Sequence, residues 1–143
     1  MLEKYPMLPS LSRTEYKKQI SLLRDKLYNE QRQFRKKKTS PLLLVIGGAG
    51  KYDTANTIAS WMDPRGLSTY DFAENNAAES ERPEFWRYWQ TLPAKGEIGI
   101  YLGAWYNRAL SDQAYQRSDS VTYERYLSRI KTLEKQLTED GAL

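Results

Sequence analysis

Apolar positions along this chain follow first a helical and then a mixed periodicity. Between Arg13 and Phe34 they recur at helical spacing, with Tyr16, Ile20, Leu23, Leu27 and Phe34 on one stripe and Gln31 interrupting it. Lys17, Lys18, Arg24 and Lys26 occupy the opposite face. Ser12-Arg13-Thr14-Glu15 matches a capping box, with Ser12 as the N-cap and Glu15 reaching back from the first turn. The spacing predicts an amphipathic helix over about 13–34. Residues 1–11, punctuated by Pro6 and Pro9, read as an irregular arm, and residues 12–143 as one domain.

The pattern changes at Pro41. Leu42–Ile46 is a short unbroken aliphatic run, the mark of a strand covered on both faces in a parallel sheet. A helix is expected over 51–62, with Ala55, Ile58, Ala59 and Met62 on one face, ended by Asp63-Pro64-Arg65-Gly66. Residues 67–72 read as a second strand and the polar, acidic stretch 73–82 as a loop. Pro83 suits the first turn of a short aromatic helix over 84–92. A turn over 93–96 leads to a third strand, 97–102, with Ile98 and Ile100 on one face. Two helices follow, over 105–116 and about 121–138. The second carries Tyr123, Tyr126, Leu127, Ile130, Leu133 and Leu137 as its stripe and Asp140-Gly141 as its C-cap signal. Ala142-Leu143 looks like the first step of another strand. Strands alternating with helices predict a three-layer α/β/α fold on a parallel sheet with right-handed crossovers.

Composition narrows the chemistry. The 143 residues carry 22 Lys+Arg against 18 Asp+Glu, a net charge of +4 that suits an anionic ligand. There is no cysteine and no histidine. Disulfides, thiolate or imidazole metal sites, Ser-His-Asp triads and Cys-His nucleophiles are thereby excluded. What remains is carboxylates, Lys, Arg, Tyr, hydroxyls, backbone N–H groups or a borrowed metal. The longest aliphatic run falls far below the ~18 residues of a membrane span, and Met1–Ser10, with Glu3 and two prolines, lacks the apolar core of a signal peptide. The expectation is a cytoplasmic protein with neither membrane nor nucleic-acid partners.

The sharpest local feature is strand–Gly47-Gly48-Ala49-Gly50-Lys51–helix. Glycines allow successive N–H groups to converge on an anion, the following helix adds its positive end, and a lysine after the last glycine reaches outer phosphates. A complete phosphate loop reads G-x-x-x-x-G-K-[ST]. Here Val45 stands at the first glycine and Tyr52 at the hydroxyl residue that holds magnesium. Phosphate binding and a plain strand-to-helix turn are both open on this segment alone. The matching acid is also missing, because the third strand ends Ile100-Tyr101-Leu102-Gly103. Loss of ~4–7 kcal/mol of metal-borne transition-state stabilisation would slow phosphoryl transfer roughly 10³–10⁵-fold. Arg35-Lys36-Lys37-Lys38 reads either as a polyanion patch or as a solvated helix end, where cations suit the dipole.

Several motifs together resemble the second family of polyphosphate kinases. They are Leu27…Gln31, Ala49-Gly50-Lys51, Trp61-Met62-Asp63-Pro64-Arg65, Glu81-Arg82-Pro83-Glu84-Phe85-Trp86-Arg87-Tyr88-Trp89, Leu92-Pro93-Ala94-Lys95-Gly96, Ile98-Gly99-Ile100, Trp105-Tyr106 and Leu137-Thr138-Glu139-Asp140-Gly141. Within that family the resemblance is to the two-domain polyphosphate:AMP phosphotransferases, and to their N-terminal copy, usually regarded as non-catalytic. It implies a P-loop-kinase fold and magnesium-dependent phosphoryl transfer from inorganic polyphosphate to a nucleotide, in a cytoplasmic bacterial oligomer. It also implies a sheet cut short here after its third strand, with a catalytic domain or second chain completing it.

Carried over position by position, the resemblance is uneven. Active domains have G-x-D-x-x-G-K. Val45 and Gly47 replace the glycine and the aspartate, while Gly50 and Lys51 match. Active domains also have Asp-Arg before Ser-Trp-Tyr, where this chain has Leu102 and Gly103 before Ala104, Trp105 and Tyr106. Arg65, Arg82 and Arg87 match family positions, and either bind phosphate or pair with Asp63, Glu81 or Glu84. The expected phosphate-binding set is Gly47, Gly48, Gly50, Lys51, Arg65, Arg82 and Arg87, with no catalytic residue and no metal ligand assigned. Phe85, Trp86, Tyr88 and Trp89 either stack a base or pack onto the sheet. The pattern favours packing, led by Trp86 and Trp89.

Three readings follow. One is a non-catalytic domain serving subunit contact or polyphosphate holding. The second is a working phosphotransferase whose metal contact comes from Asp53 or Asp63. The third is a polyanion-binding module that joins Arg35–Lys38 to Lys51.

Overall fold

The computed structural model describes residues 11–72 and 81–143. Among them the order is α1 (Arg13–Lys37), β1 (Leu42–Ile46), α2 (Lys51–Ser60), β2 (Leu67–Asp71), α3 (Trp86–Trp89), β3 (Ile98–Leu102), α4 (Trp105–Ala114) and α5 (Ser120–Glu139). The three strands are parallel in the order β1-β3-β2. Leu42 and Leu67 both register with Ile98, so the strands start together. The expected arm over 1–11 and most of the expected loop over 73–82 lie outside the described residues.

β3 is central because it is the strand that can be buried on both faces, and all five of its residues are buried. Ile100 and Leu102 face α2, in a cluster with Ala55, Ile58, Ala59, Leu44, Ile46 and Leu67. Tyr101 faces the other way, into a larger cluster of Phe72, Tyr88, Trp105, Ile130, Leu133 and Leu137. Gly99 shares that face, where an added Cβ would lie 2.9 Å from the Tyr101 ring and 3.4 Å from Pro93. Only glycine leaves room for the aromatic there.

α5 ends in a Schellman motif, as Asp140-Gly141 predicts. Gly141 adopts φ 89°, the Ala142 N–H donates to the Leu137 carbonyl and the Gly141 N–H to that of Thr138. The chain then turns along the free edge of β1. The Leu143 N–H donates to the Pro41 carbonyl at 3.0 Å and the Leu143 carbonyl accepts from Leu43 at 2.9 Å, a parallel-strand pattern on the side of β1 opposite β3.

Three expectations need correction. Leu42–Ile46 is not covered on both faces: β1 lies at the end of the strand order, its residues are half-buried except Val45, and Val45 is exposed. The stripe of α1 is not a buried face: Tyr16 is 54% and Leu23 55% exposed, and the one buried residue is Gln31, read from sequence as an interruption. A helix of 25 residues runs about 37 Å, roughly twice the length of these strands, and its last turns meet the connections at the amino edge of the sheet, at Asp63, Gly66 and Gly96. The aromatic helix expected over 84–92 shrinks to Trp86–Trp89, because Phe85 adopts a left-handed φ of 67° and stops it on the N-terminal side.

Candidate functional site

β1 delivers the chain to the glycine loop at the carboxyl edge of the sheet, and α2 begins at Lys51 directly after it. Gly48 and Gly50 take φ of 85° and 79°, conformations open to glycine. The positions where Gly47, Gly48 and Gly50 would carry a Cβ face open space. The loop is thus an exposed stretch of backbone at the N-terminus of a ten-residue helix.

Lys51 does not project freely from it. Its Nζ lies 3.3 Å from Asp71 Oδ1 and 4.7 Å from the centre of the Tyr52 ring. The Tyr52 hydroxyl donates to Asp71 Oδ2 at 2.7 Å. Asp71 ends β2, in register with Leu102. Alternation along β2 accounts for its direction: Leu67 packs in the α2 cluster while Tyr70 and Phe72 belong to the aromatic one, so Asp71 is aimed at the start of α2. The Tyr52 hydrogen bond holds the Asp71 carboxyl below the usual range, against the effect of burial and with help from Lys51. Burial pulls the Lys51 ammonium down, but Asp71 and Tyr52 outweigh it and hold the group above its ordinary value.

Asp71 is the residue that sequence reasoning missed. Its signal was present: an acid at the last position of a parallel strand, on the face shared with Leu67, lies where such sheets gather ligand contacts.

The remaining expected phosphate ligands divide between the two ends of the sheet. Arg87 sits at the carboxyl edge, its guanidinium 5.4 Å from the centre of the Phe72 ring. Arg82 lies 5.3 Å from the centre of the Trp86 ring, covering the indole. Arg65 precedes β2 at the amino edge, about one strand length, roughly 16 Å, from the glycine loop. Its Nε and Nη2 donate to Asp63 at 3.0 and 2.6 Å, and Arg35 adds a second cation to Asp63 at 3.5 Å. Arg65 therefore makes the carboxylate pairing that the sequence left open. The basic run 35–38 ends α1 at this same amino edge, so the fold does not join it to Lys51.

Among the aromatics, Phe85 and Tyr88 pack rather than Trp86 and Trp89. Tyr88 meets Phe72 and Trp105 edge-on, with ring centres 4.7 and 5.3 Å apart. Trp89 is 38% exposed. Trp105 and Tyr106 are tied to α5: Trp105 Nε1 and the Tyr106 hydroxyl both donate to Glu134 Oε1, at 3.0 and 2.8 Å.

Among the described residues no three carboxylates converge, and the carboxylate beside Lys51 is already engaged twice. Asp63, one of the two acids weighed as a displaced ligand, is at the wrong edge. Leu102, at the position of the expected acid, is 4% exposed and packs against the α2 cluster.

A parallel sheet with a glycine loop and lysine at its carboxyl edge defines a P-loop-kinase-like protein. A family model described as Polyphosphate kinase 2 matches residues 10–143, and the chain belongs to that family. It is 32% identical over 131 residues to a polyphosphate:AMP phosphotransferase of Pseudomonas syringae pv. tomato, covering 90% of this chain and 26% of that protein. It is 30% identical over 146 residues to the polyphosphate:AMP phosphotransferase of Pseudomonas aeruginosa, covering 100% of this chain and 29% of that one. A crystal structure of a polyphosphate kinase 2 from P. aeruginosa PA01 superposes with a TM-score of 0.90 at 30% identity, over 100% of this chain and 31% of that chain. A polyphosphate kinase 2 structure from Arthrobacter aurescens TC1 shares the fold, with a TM-score of 0.87 at 22% identity over 99% and 54% of the two chains. The chain spans less than a third of the length of the two phosphotransferases it matches. None of the described helices is long and apolar enough to cross a membrane.

Proposed function

We propose that this chain is a polyphosphate kinase 2 domain that holds inorganic polyphosphate, or contacts a catalytic domain or second chain, without transferring phosphate itself. The observation that carries the reading is Leu102. The position expected to hold the metal-supporting acid is filled by a buried leucine that extends the apolar cluster over α2. A phosphoryl transfer site needs positioned charge at the developing oxyanions, and a glycine loop with a lysine already paired to Asp71 does not supply it. The glycine loop retains what holding requires: open backbone at a helix N-terminus and a lysine beside it. AMP as acceptor and magnesium as the companion ion come from the relatives' names and family, and belong to this reading only as conditions of the assay. The purified chain, incubated with polyphosphate, AMP and Mg²⁺, is expected to form no ADP. Turnover that Lys51→Ala abolishes would overturn the assignment.

A second reading has one observation in its favour. Asp71 is a carboxylate at the carboxyl edge, 3.3 Å from Lys51, and could serve an active, magnesium-dependent transferase as a displaced ligand in place of the Asp53 or Asp63 considered from sequence. That reading requires Asp71→Asn to abolish measurable turnover.

A further inference from the structure

Lys51 has already found an anion within its own chain. The partner is not a chance neighbour on a flexible loop. Asp71 is the last residue of β2, and the Phe72 N–H immediately after it donates to the Leu102 carbonyl at 3.0 Å, fixing the backbone on both sides of the carboxylate. Both carboxylate oxygens are used, one by Lys51 and the other by the Tyr52 hydroxyl. Lys51 is enclosed on a third side at Gly103, where an added Cβ would come within 3.2 Å of Nζ. The ammonium is mostly covered and the carboxylate is nearly half exposed, so an arriving anion meets Asp71 before it meets Lys51.

We propose that Asp71 and Tyr52 form a latch that occupies Lys51 in the empty loop, so that an anionic ligand gains the lysine only by displacing Asp71. The proposal rests on the reading of the glycine loop as a polyphosphate holder. A ligand must break the ion pair and strip Asp71 of a hydrogen bond to reach the lysine. Orthophosphate brings one phosphate group to the exchange. A linear polyphosphate brings several linked charges, which engage the backbone N–H groups and the helix end while displacing the carboxylate. The latch lowers the affinity of every ligand that must displace it by the same factor, so at a given concentration a polyphosphate with further contacts to the loop still binds where a single phosphate does not.

The test is calorimetric binding of inorganic tripolyphosphate and of orthophosphate, at one fixed ionic strength, to the unmodified chain and to Asp71→Asn, Tyr52→Phe, Lys51→Ala and the Asp71→Asn/Lys51→Ala double variant. Asp71→Asn is expected to tighten tripolyphosphate and orthophosphate binding by a similar factor, about 1.5- to fivefold, the scale of releasing a partly exposed ion pair. Tyr52→Phe leaves the lysine–aspartate pair in place but frees one carboxylate oxygen, and should tighten binding less than Asp71→Asn does. In the double variant the gain disappears, since the lysine it releases is gone. Asp25→Asn removes the same charge from the exposed face of α1 and should change nothing. An equal gain in Asp25→Asn makes the effect one of net charge and overturns the latch. Unchanged or weaker binding in Asp71→Asn, with Lys51→Ala still weakening it, overturns the latch and leaves polyphosphate holding intact. Absence of binding in every variant overturns both.

Discussion

Gln31 grips the backbone of Asp63 at both its N–H and its carbonyl. Its amide nitrogen donates to the Asp63 carbonyl at 2.8 Å, and its carbonyl oxygen accepts the Asp63 N–H at 2.7 Å. Gln31 is 2% exposed, so these bonds stand in place of water. They attach the last turns of α1 to the connection between α2 and β2.

Gln31→Ala removes a donor and an acceptor together and leaves two main-chain groups unsatisfied. A loss of about 2–4 kcal/mol is expected, read as a lower urea midpoint with little change in slope. Substitutions at Tyr16 or Leu23, exposed on the same helix, should stay within about 0.5 kcal/mol.

Asp63 supplies an acid-dependent contribution. Hydrogen bonds from the Arg65 side chain, then from its backbone, hold the Asp63 carboxyl down from 3.8 to about 2. A depressed folded-state value means the unfolded chain binds the proton first. The stabilisation is therefore complete above pH 3.8 and is lost as the pH falls through about 2. Urea midpoints of the unmodified chain and Asp63→Asn should differ at neutral pH and converge across that window.

Glu134 holds two neighbouring aromatics with one oxygen. Glu134→Ala leaves the indole N–H of Trp105, a residue 3% exposed, without its acceptor, at an expected cost of about 1–3 kcal/mol. Burial, with the Glu134 hydrogen bond second, pushes the Tyr106 phenol up to about 12. In the variant, phenolate titration followed by ultraviolet absorbance should show that group ionising earlier, though still above 10.0, the ordinary value, because burial remains. Stability tied to this raised value is present below pH 10.0 and lost as the pH rises through about 12.

Leu102→Asp places a carboxylate among Ala55, Ile100 and Ile46. Lys51, the cation beside it, is already paired with Asp71, so the new carboxylate is left without a partner of its own and the variant should lose about 3–5 kcal/mol. Leu102→Ala, which only removes volume, should lose about 2–4 kcal/mol. Thermal or urea unfolding separates them if measured against pH, since the aspartate variant recovers part of its loss when the carboxyl is protonated.

Element positions were largely readable because each rests on local chemistry. The aliphatic run at Leu42–Ile46 coincides with β1, Ser12 accepts from the Glu15 N–H at 3.2 Å as the capping box predicts, and Gly141 closes α5. Where the reading missed, the deciding interaction joined distant parts of the chain. Gln31 looked like a flaw in a stripe because its partner lies 32 residues away. Phe85 takes a left-handed backbone that no pattern of apolar residues announces.

The sequence by itself determined the parallel α/β plan, the glycine loop, and the absence of histidine and cysteine chemistry, since periodicity, turn residues and composition are properties of neighbouring residues. The tertiary structure alone decided which charges meet. Crossover connections put residues that are adjacent in space far apart in the chain, so the sheet sent Arg65 to Asp63 at one edge, brought Asp71 onto Lys51 at the other, and set Leu102 facing the apolar side of α2.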